Sequence, residues 1–201
     1  MANIKNLLKT IENKSVHKIL ELVGKISKKE NISAYVVGGF VRDLIMDRKL
    51  NDIDIMTIGD GIQFAKKIAS EIGVKKIVPF EKFGTSLIPN KEIQIEVATA
   101  RKEQYKPDSR KPTEIIYTDL KGDLIRRDFT INAMAMDLST TKFGDLTDPF
   151  SGVTDIKNKV LRTPLDPDET FSEDPLRMMR CLLYTSPSPR DRTRSRMPSS
   201  A

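Results

Sequence analysis

The stretch SAYVVGGFVRDLIM, residues 33–46, followed by NDIDIMTI, residues 51–58, decides the fold. The first runs from a short apolar strand through a pair of glycines into a helical pattern. The second alternates with the two-residue period of a strand, which puts Asp52 and Asp54 on one face. Two carboxylates on one face of a packed strand repel each other unless a cation accompanies them, and hard cations take oxygen ligands. An arbitrary D-x-D is more often an exposed polar face. Here the apolar flanks Ile53, Ile55 and Met56 favour a packed strand and a metal-binding pair. Gly38 and Gly39 allow backbone N–H groups to approach a phosphate ahead of a helix N-terminus, whose dipole favours an anion. A tight strand-to-helix turn is the plainer reading of such a pair taken alone. Arg42 has two uses open to it: a fork onto a phosphate, or an ion pair with its neighbour Asp43.

Outward from this centre, GIQFAKKIASEI (61–72) reads as a helix, with strands expected near 74–79 and 85–88. EIQIEVATA (92–100) alternates strongly, so that Gln94 and Glu96 share one face and Ile93, Ile95 and Val97 the other. Glu96 is thereby a third candidate carboxylate, with a solvated strand face as its plainer alternative. On the N-terminal side, residues 3–29 place apolar side chains at three- and four-residue spacings among lysines, the pattern of an amphipathic helix. RKEQYKPDSRKPTEIIY (101–117) is polar and broken by Pro107 and Pro112, which predicts a long loop. DLIRRDFTINAMAMDL (123–138) resumes a helical pattern, GDLTDPFSG (144–152) is a turn cluster, and VTDIKNKVLRT (153–163) predicts a helix and a strand. DPDETFSEDPLRMMR (166–180) predicts a helix capped by Thr170 or Ser172. The sum is an α/β (α+β) chain, a mixed sheet with helices packed on it.

Composition narrows the function classes. No stretch reaches the apolar length of a membrane span, and the N-terminus lacks the apolar core of a signal peptide, so a cytoplasmic chain without a membrane is expected. A lone Cys181 and a lone His17 exclude a disulfide framework and a thiolate or histidine-rich zinc site. Of the formal charge of +6, +3 lies in the last twenty-one residues, where Arg190, Arg192, Arg194 and Arg196 oppose Asp191. Those residues, 181–201, lose hydrophobic periodicity and turn to Ser, Pro and Arg, and CLLYTSPSPRD resembles a translated sequencing adapter. They are expected to be a disordered, non-native tail fused where the preceding helix breaks off at Arg180.

Six segments recur in order: VVGGFVRDLI (36–45), DIDI (52–55), IEVATAR (95–101), RRDFTINAMAM (126–136), DPFSG (148–152) and FSEDPLRMMR (171–180). Together they resemble the class II CCA-adding tRNA nucleotidyltransferases and the sister bacterial poly(A) polymerases over residues 34–180. The resemblance implies a polymerase-β-like nucleotidyltransferase palm at 31–164, N-terminal helices at 1–30 and the truncated start of a helical neck at 165–180. It implies template-independent transfer of nucleotides from CTP and ATP to the 3′ end of tRNA, with pyrophosphate released. It further implies that Asp52 and Asp54 hold two Mg2+ ions, with Glu96 as the third catalytic carboxylate. Gly38, Gly39 and Arg42 would cradle the triphosphate, and Arg127, Asp128 and Asn132 would contact phosphate and ribose. Glu173, Asp174, Arg177 and Arg180 match the family's neck motif, in which Asp174 and Arg177 would read the base edge. CCA addition leads; poly(A) addition and an inactive RNA-binding fragment are the alternatives, and the oligomeric state is left open.

Overall fold

The computed structural model describes residues 2–11, 14–50, 52–90, 92–104 and 114–185. Strand β1 (Ser33–Val37) runs into the glycine pair and helix α2 (Gly39–Ile45), preceded by helix α1 (Lys14–Glu30). Strand β2 (Asp52–Ile58), helix α3 (Gly61–Glu71) and strands β3 (Val78–Phe80), β4 (Thr85–Ile88) and β5 (Gln94–Thr99) follow. Strands β6 (Arg101–Gln104) and β7 (Glu114–Tyr117), helix α4 (Leu120–Ile125), strands β8 (Ala135–Asp137) and β9 (Leu146–Thr147), and helices α5 (Gly152–Asn158), α6 (Pro167–Glu173) and α7 (Leu176–Thr185) complete the described chain.

Seven strands form one sheet in the order β3-β4-β5-β2-β1-β8-β9, and β6 with β7 forms a second. Among the described strands only β2 and β5 pair in parallel; their register sets Asp52 opposite Gln94 and Asp54 opposite Glu96. The strand alternation separates two faces. Ala34, Val36, Ile53, Ile55, Ile95 and Val97 are buried beneath α1, α2 and α3, which contribute Leu20, Val23, Phe40, Leu44, Phe64 and Ile68 to the same core. Truncating a fully buried aromatic such as Phe64 to alanine should cost about 3–5 kcal/mol. The opposite face carries only a small cluster of Val37, Met56, Ala100, Leu124 and Ala135. Asp52, Asp54, Gln94 and Glu96 stand on this face as well. Gly24, inside α1, has a packing reason to be glycine: a Cβ there would sit 2.3 Å from the Leu138 carbonyl oxygen.

Several expectations are corrected. The N-terminal segment is not one helix: a 3-10 helix, Lys5–Thr10, precedes α1. The chain ahead of it is pinned across the fold by the Ile4 N–H on the Gly144 carbonyl at 2.8 Å and an Asn3–Asp145 bridge. The expected loop at 101–117 opens and closes as the β6–β7 hairpin, because Arg101–Gln104 finds antiparallel partners in Glu114–Tyr117; residues 105–113 lie outside the described residues. The helical pattern at 123–138 is divided among α4, a 3-10 turn at Thr130–Asn132 and β8, whose pairing with β1 overrides local periodicity. No strand forms within 153–163; the Thr130 N–H donates singly to the Arg162 carbonyl at 2.8 Å.

The neck segment is two helices. Each opens on an Asp-Pro pair: Asp166 accepts from the Asp168 N–H at 2.8 Å and Asp174 from the Leu176 N–H at 3.1 Å. Asp at the cap and Pro in the first turn satisfy and omit orphan donors in the way a helix start needs, so Thr170 and Ser172 fall inside α6. Helix α7 does not stop at Arg180 but continues through Thr185, the last described residue. The rest of the expected tail, 186–201, lies outside the described residues.

Candidate active site

On the thinly covered face of the sheet lies a cavity of about 700 Å³. Its lining includes all twelve residues singled out from the sequence: Gly38, Gly39, Arg42, Asp52, Asp54, Glu96, Arg127, Asp128, Asn132, Asp174, Arg177 and Arg180. Residues from β2, β5, α2, the 3-10 turn after α4 and α7 meet there. They span more than a hundred positions of sequence. The parallel register of β2 and β5 supplies the carboxylate wall, because Asp54 and Glu96 are direct neighbours across it.

Burial pushes the Asp54 carboxyl up to about 6, and the Asp52 and Glu96 charges add to the rise; Arg127 and Arg42 oppose it. The donor set is therefore oxygen only, crowded and under-neutralised, which fits a hard divalent cation. Among the described residues no three carboxylate, histidine or cysteine groups enclose a metal ion by themselves. A cation held by Asp52 and Asp54 would complete its shell with substrate oxygens and water.

Facing this wall is an arginine cluster. Arg42 donates to both Asp43 oxygens, from Nε at 2.9 Å and Nη2 at 2.8 Å, and from Nη1 to Asn132 Oδ1 at 2.7 Å. The neighbour ion pair and a site contact are thus made together. Asn132 donates onward from Nδ2 to Asp128 Oδ1 at 2.9 Å, and Arg180 Nη1 donates to Asp128 Oδ2 at 3.2 Å. This relay joins α2, the 3-10 turn and α7. Gly38 adopts φ 70°, ψ −133°, a region closed to most L side chains, and its N–H donates to the Met134 carbonyl at 3.2 Å rather than lying open to a ligand. Its use to the site is the room it leaves. A Cβ there would lie 2.9 Å from Arg127 Nη1 and 3.7 Å from Asp54 Oδ2.

The neck arginine is tied to the protein. Arg177, 7% exposed, donates from Nη1 to the Thr170 carbonyl and Glu173 Oε2, each at 3.0 Å, and from Nη2 to the Arg126 carbonyl at 3.1 Å. It locks α7 onto the head, and Asp174 beside it caps α7.

Sequence reasoning gave no site role to Asp123, Arg126 or Arg101, which also line the cavity. Asp123, 1% exposed, accepts from Arg126 Nη2 at 2.8 Å and Arg127 Nη2 at 2.9 Å. Burial alone would raise its carboxyl, but Arg127 and Arg126 hold it below the usual carboxylate range. Arg126 also donates from Nε to the Arg101 carbonyl at 2.8 Å. Arg101 reaches the Phe83 carbonyl and donates from Nη1 to Thr85 Oγ1 at 3.1 Å. The spacing of Asp123 from Arg126 and Arg127, three and four residues, was the available signal.

The sequence profile described as the Poly A polymerase head domain matches residues 34–162. The A-adding tRNA nucleotidyltransferase of Aquifex aeolicus is 42% identical over 153 residues, 76% of this chain and 18% of that protein. The CCA-adding enzyme of Lactobacillus helveticus is 41% identical over 154 residues, 76% of this chain and 36% of that protein. Among solved structures, a CCA-adding enzyme in its apo form II superposes with a TM-score of 0.80 at 37% identity, over 90% of this chain and 42% of that one. The Thermotoga maritima CCA-adding enzyme complexed with tRNA gives 0.76 at 35% identity, over 91% and 40%. The chain thus spans less than half the length of each of these relatives. Fold, cavity and sequence agree, and the chain belongs to the family of the poly(A) polymerase head domain.

Proposed function

We propose that this chain is the nucleotidyltransferase head of an enzyme that adds CMP and AMP to the 3′ end of tRNA without a nucleic acid template. The observation that supports it most is the gathering of the twelve expected residues around one cavity, with Asp52, Asp54 and Glu96 on one wall and Arg42, Arg127 and Arg180 about the other. Asp52 and Asp54 would hold magnesium, two ions in the full reading, with Glu96 as the adjoining carboxylate. When bound, the metal supplies positive charge to ionise the RNA 3′-hydroxyl and to neutralise the departing pyrophosphate. Arg127 and Arg42 would meet the triphosphate, with Gly38 leaving space for it. Asp128 and Asn132 would meet the ribose, Asp128 accepting from the 2′-hydroxyl, and this requires the Arg180 contact on Asp128 to yield or share. Asp174 and Arg177 stand where α7 borders the cavity and would present an acceptor and donors to the base, which requires part of the Arg177 contact set on Thr170, Glu173 and Arg126 to yield. Among the described residues no helix is long and apolar enough to cross a membrane, and the reading is of a cytoplasmic enzyme.

A second reading is addition of A alone, since an A-adding relative at 42% identity stands level with a CCA-adding one at 41%. The test is incorporation of each labelled NTP, with magnesium, onto tRNA ending before the CCA and onto tRNA ending in CC. CTP use on the first substrate followed by ATP supports CCA addition; ATP use on the second alone supports A addition. Long tracts of A on either would identify a poly(A) polymerase, and no incorporation by the chain joined to a relative's remaining domains would reject the reading. Arg177→Ala should alter the ratio of the four rates; equal loss for all four makes Arg177 only the lock on α7.

A further inference from the structure

We propose that Asp123 is a positioning residue that aims the Arg127 guanidinium at the nucleotide triphosphate; this rests on the function proposed above. The carboxylate is 1% exposed and divides its oxygens, Oδ1 accepting from Arg126 Nη2 at 2.8 Å and Oδ2 from Arg127 Nη2 at 2.9 Å. Oδ1 also accepts the Arg101 N–H at 3.3 Å, so the strand and the two arginines converge on one acid. Held by that edge, Arg127 lies against the Gly38 turn, where an added Cβ would meet Nη1 at 2.9 Å. Its Nε is buried and has no hydrogen-bond partner among the described residues. An arginine gripped through Nη2, with Nη1 against the Gly38 turn and bordering the cavity, is arranged for a charged acceptor. Phosphate oxygens are such acceptors. Asp123 has both oxygens committed to arginines and, as an anion, would repel a phosphate, so its effect passes through Arg127.

The experiment is equilibrium binding of CTP with magnesium by titration calorimetry on the chain, in a double-mutant cycle. Asp123→Asn should weaken CTP by about tenfold or more, the size of a coupled charge-assisted contact. In an Arg127→Ala background the same change should weaken it no further. Asp155→Asn is the control: Asp155 is 3% exposed, accepts from Thr130 Oγ1 at 2.7 Å and lines no part of the cavity. It should leave CTP binding unchanged in both backgrounds. Additive losses for Asp123 and Arg127, or an effect of Asp155 equal to that of Asp123, overturn the proposal. Should Asp123→Asn not fold, Asp123→Glu carries the test: weaker CTP binding supports the positioning role, whereas unchanged binding, or loss of fold in both variants, leaves Asp123 purely structural. A wild-type chain that binds no CTP breaks the functional reading and this proposal together; one that binds CTP alike in all variants breaks only the proposal.

Discussion

Asp54 and Asp123 border the same cavity and are both largely withdrawn from water, yet their carboxyls are driven in opposite directions. Around Asp54, on β2, the nearest charges include two more acids, and its pKa rises to about 6. Around Asp123, inside α4, two arginines at hydrogen-bond distance outweigh the burial. One wall is short of positive charge and the other is internally neutralised. The fold therefore spends stability on the first and recovers it on the second, as expected where one acid awaits a cation and the other organises the groups around it.

The largest expected effect tests whether the carboxylate wall is chemical. Asp52→Ala or Asp54→Ala should lower nucleotide incorporation by about a thousandfold or more, roughly 4 kcal/mol of barrier, with circular dichroism unchanged. Near-wild-type turnover in either variant would dissolve the contrast. Next comes the arginine wall. Asp123→Ala leaves Arg126 and Arg127 facing each other without their acid, and should cost about 3–5 kcal/mol in urea unfolding, against no loss for Asp54→Asn.

The pH dependence sharpens the comparison. The folded-state pKa of Asp54, about 6, lies above the ordinary 3.8, so the folded chain holds that proton more tightly than the unfolded one. The stabilisation is complete below the unfolded value and is lost as pH rises through about 6. Between about pH 4 and about pH 7, metal-free wild type should lose up to about 3 kcal/mol relative to Asp54→Asn, and magnesium should narrow that gap. A pH-independent difference between the two proteins would show that Asp54 is not under repulsion. The smallest effect concerns the glycine that separates the two walls. Gly38→Ala meets Arg127 Nη1 and an unfavourable φ, and should cost about 1–3 kcal/mol. Gly39→Ala meets Arg42 Nη2 only at an ordinary 3.5 Å and should stay within about 0.5 kcal/mol. Equal costs would mean that the turn, not the approach of Arg127 to Asp54, demands the glycine pair.

Much of this was legible in one dimension. The period of two in Asp52–Ile58 and Gln94–Thr99 set which side chains share a face before any pairing was known, because strand geometry leaves no other choice. The twelve site residues that the family resemblance implied line the cavity, while Glu173 of the same neck motif does not. Other features depend on partners distant in sequence. DLIRRDFTINAMAMDL has a helical pattern along its length, yet Ala135–Asp137 becomes strand because β1 offers a ladder. Arg101–Gln104 reads as loop until Glu114–Tyr117 is beside it. By itself, the sequence determined the carboxylate pair, the glycine turn and the order of elements, all consequences of local backbone sterics and periodicity. Only the tertiary structure decided that Arg177 would spend its donors on the Thr170 and Arg126 carbonyls, and that Asp123 would be buried between two arginines. Burial and the choice among competing hydrogen-bond acceptors are set by segments far apart in the chain, and no local rule encodes them.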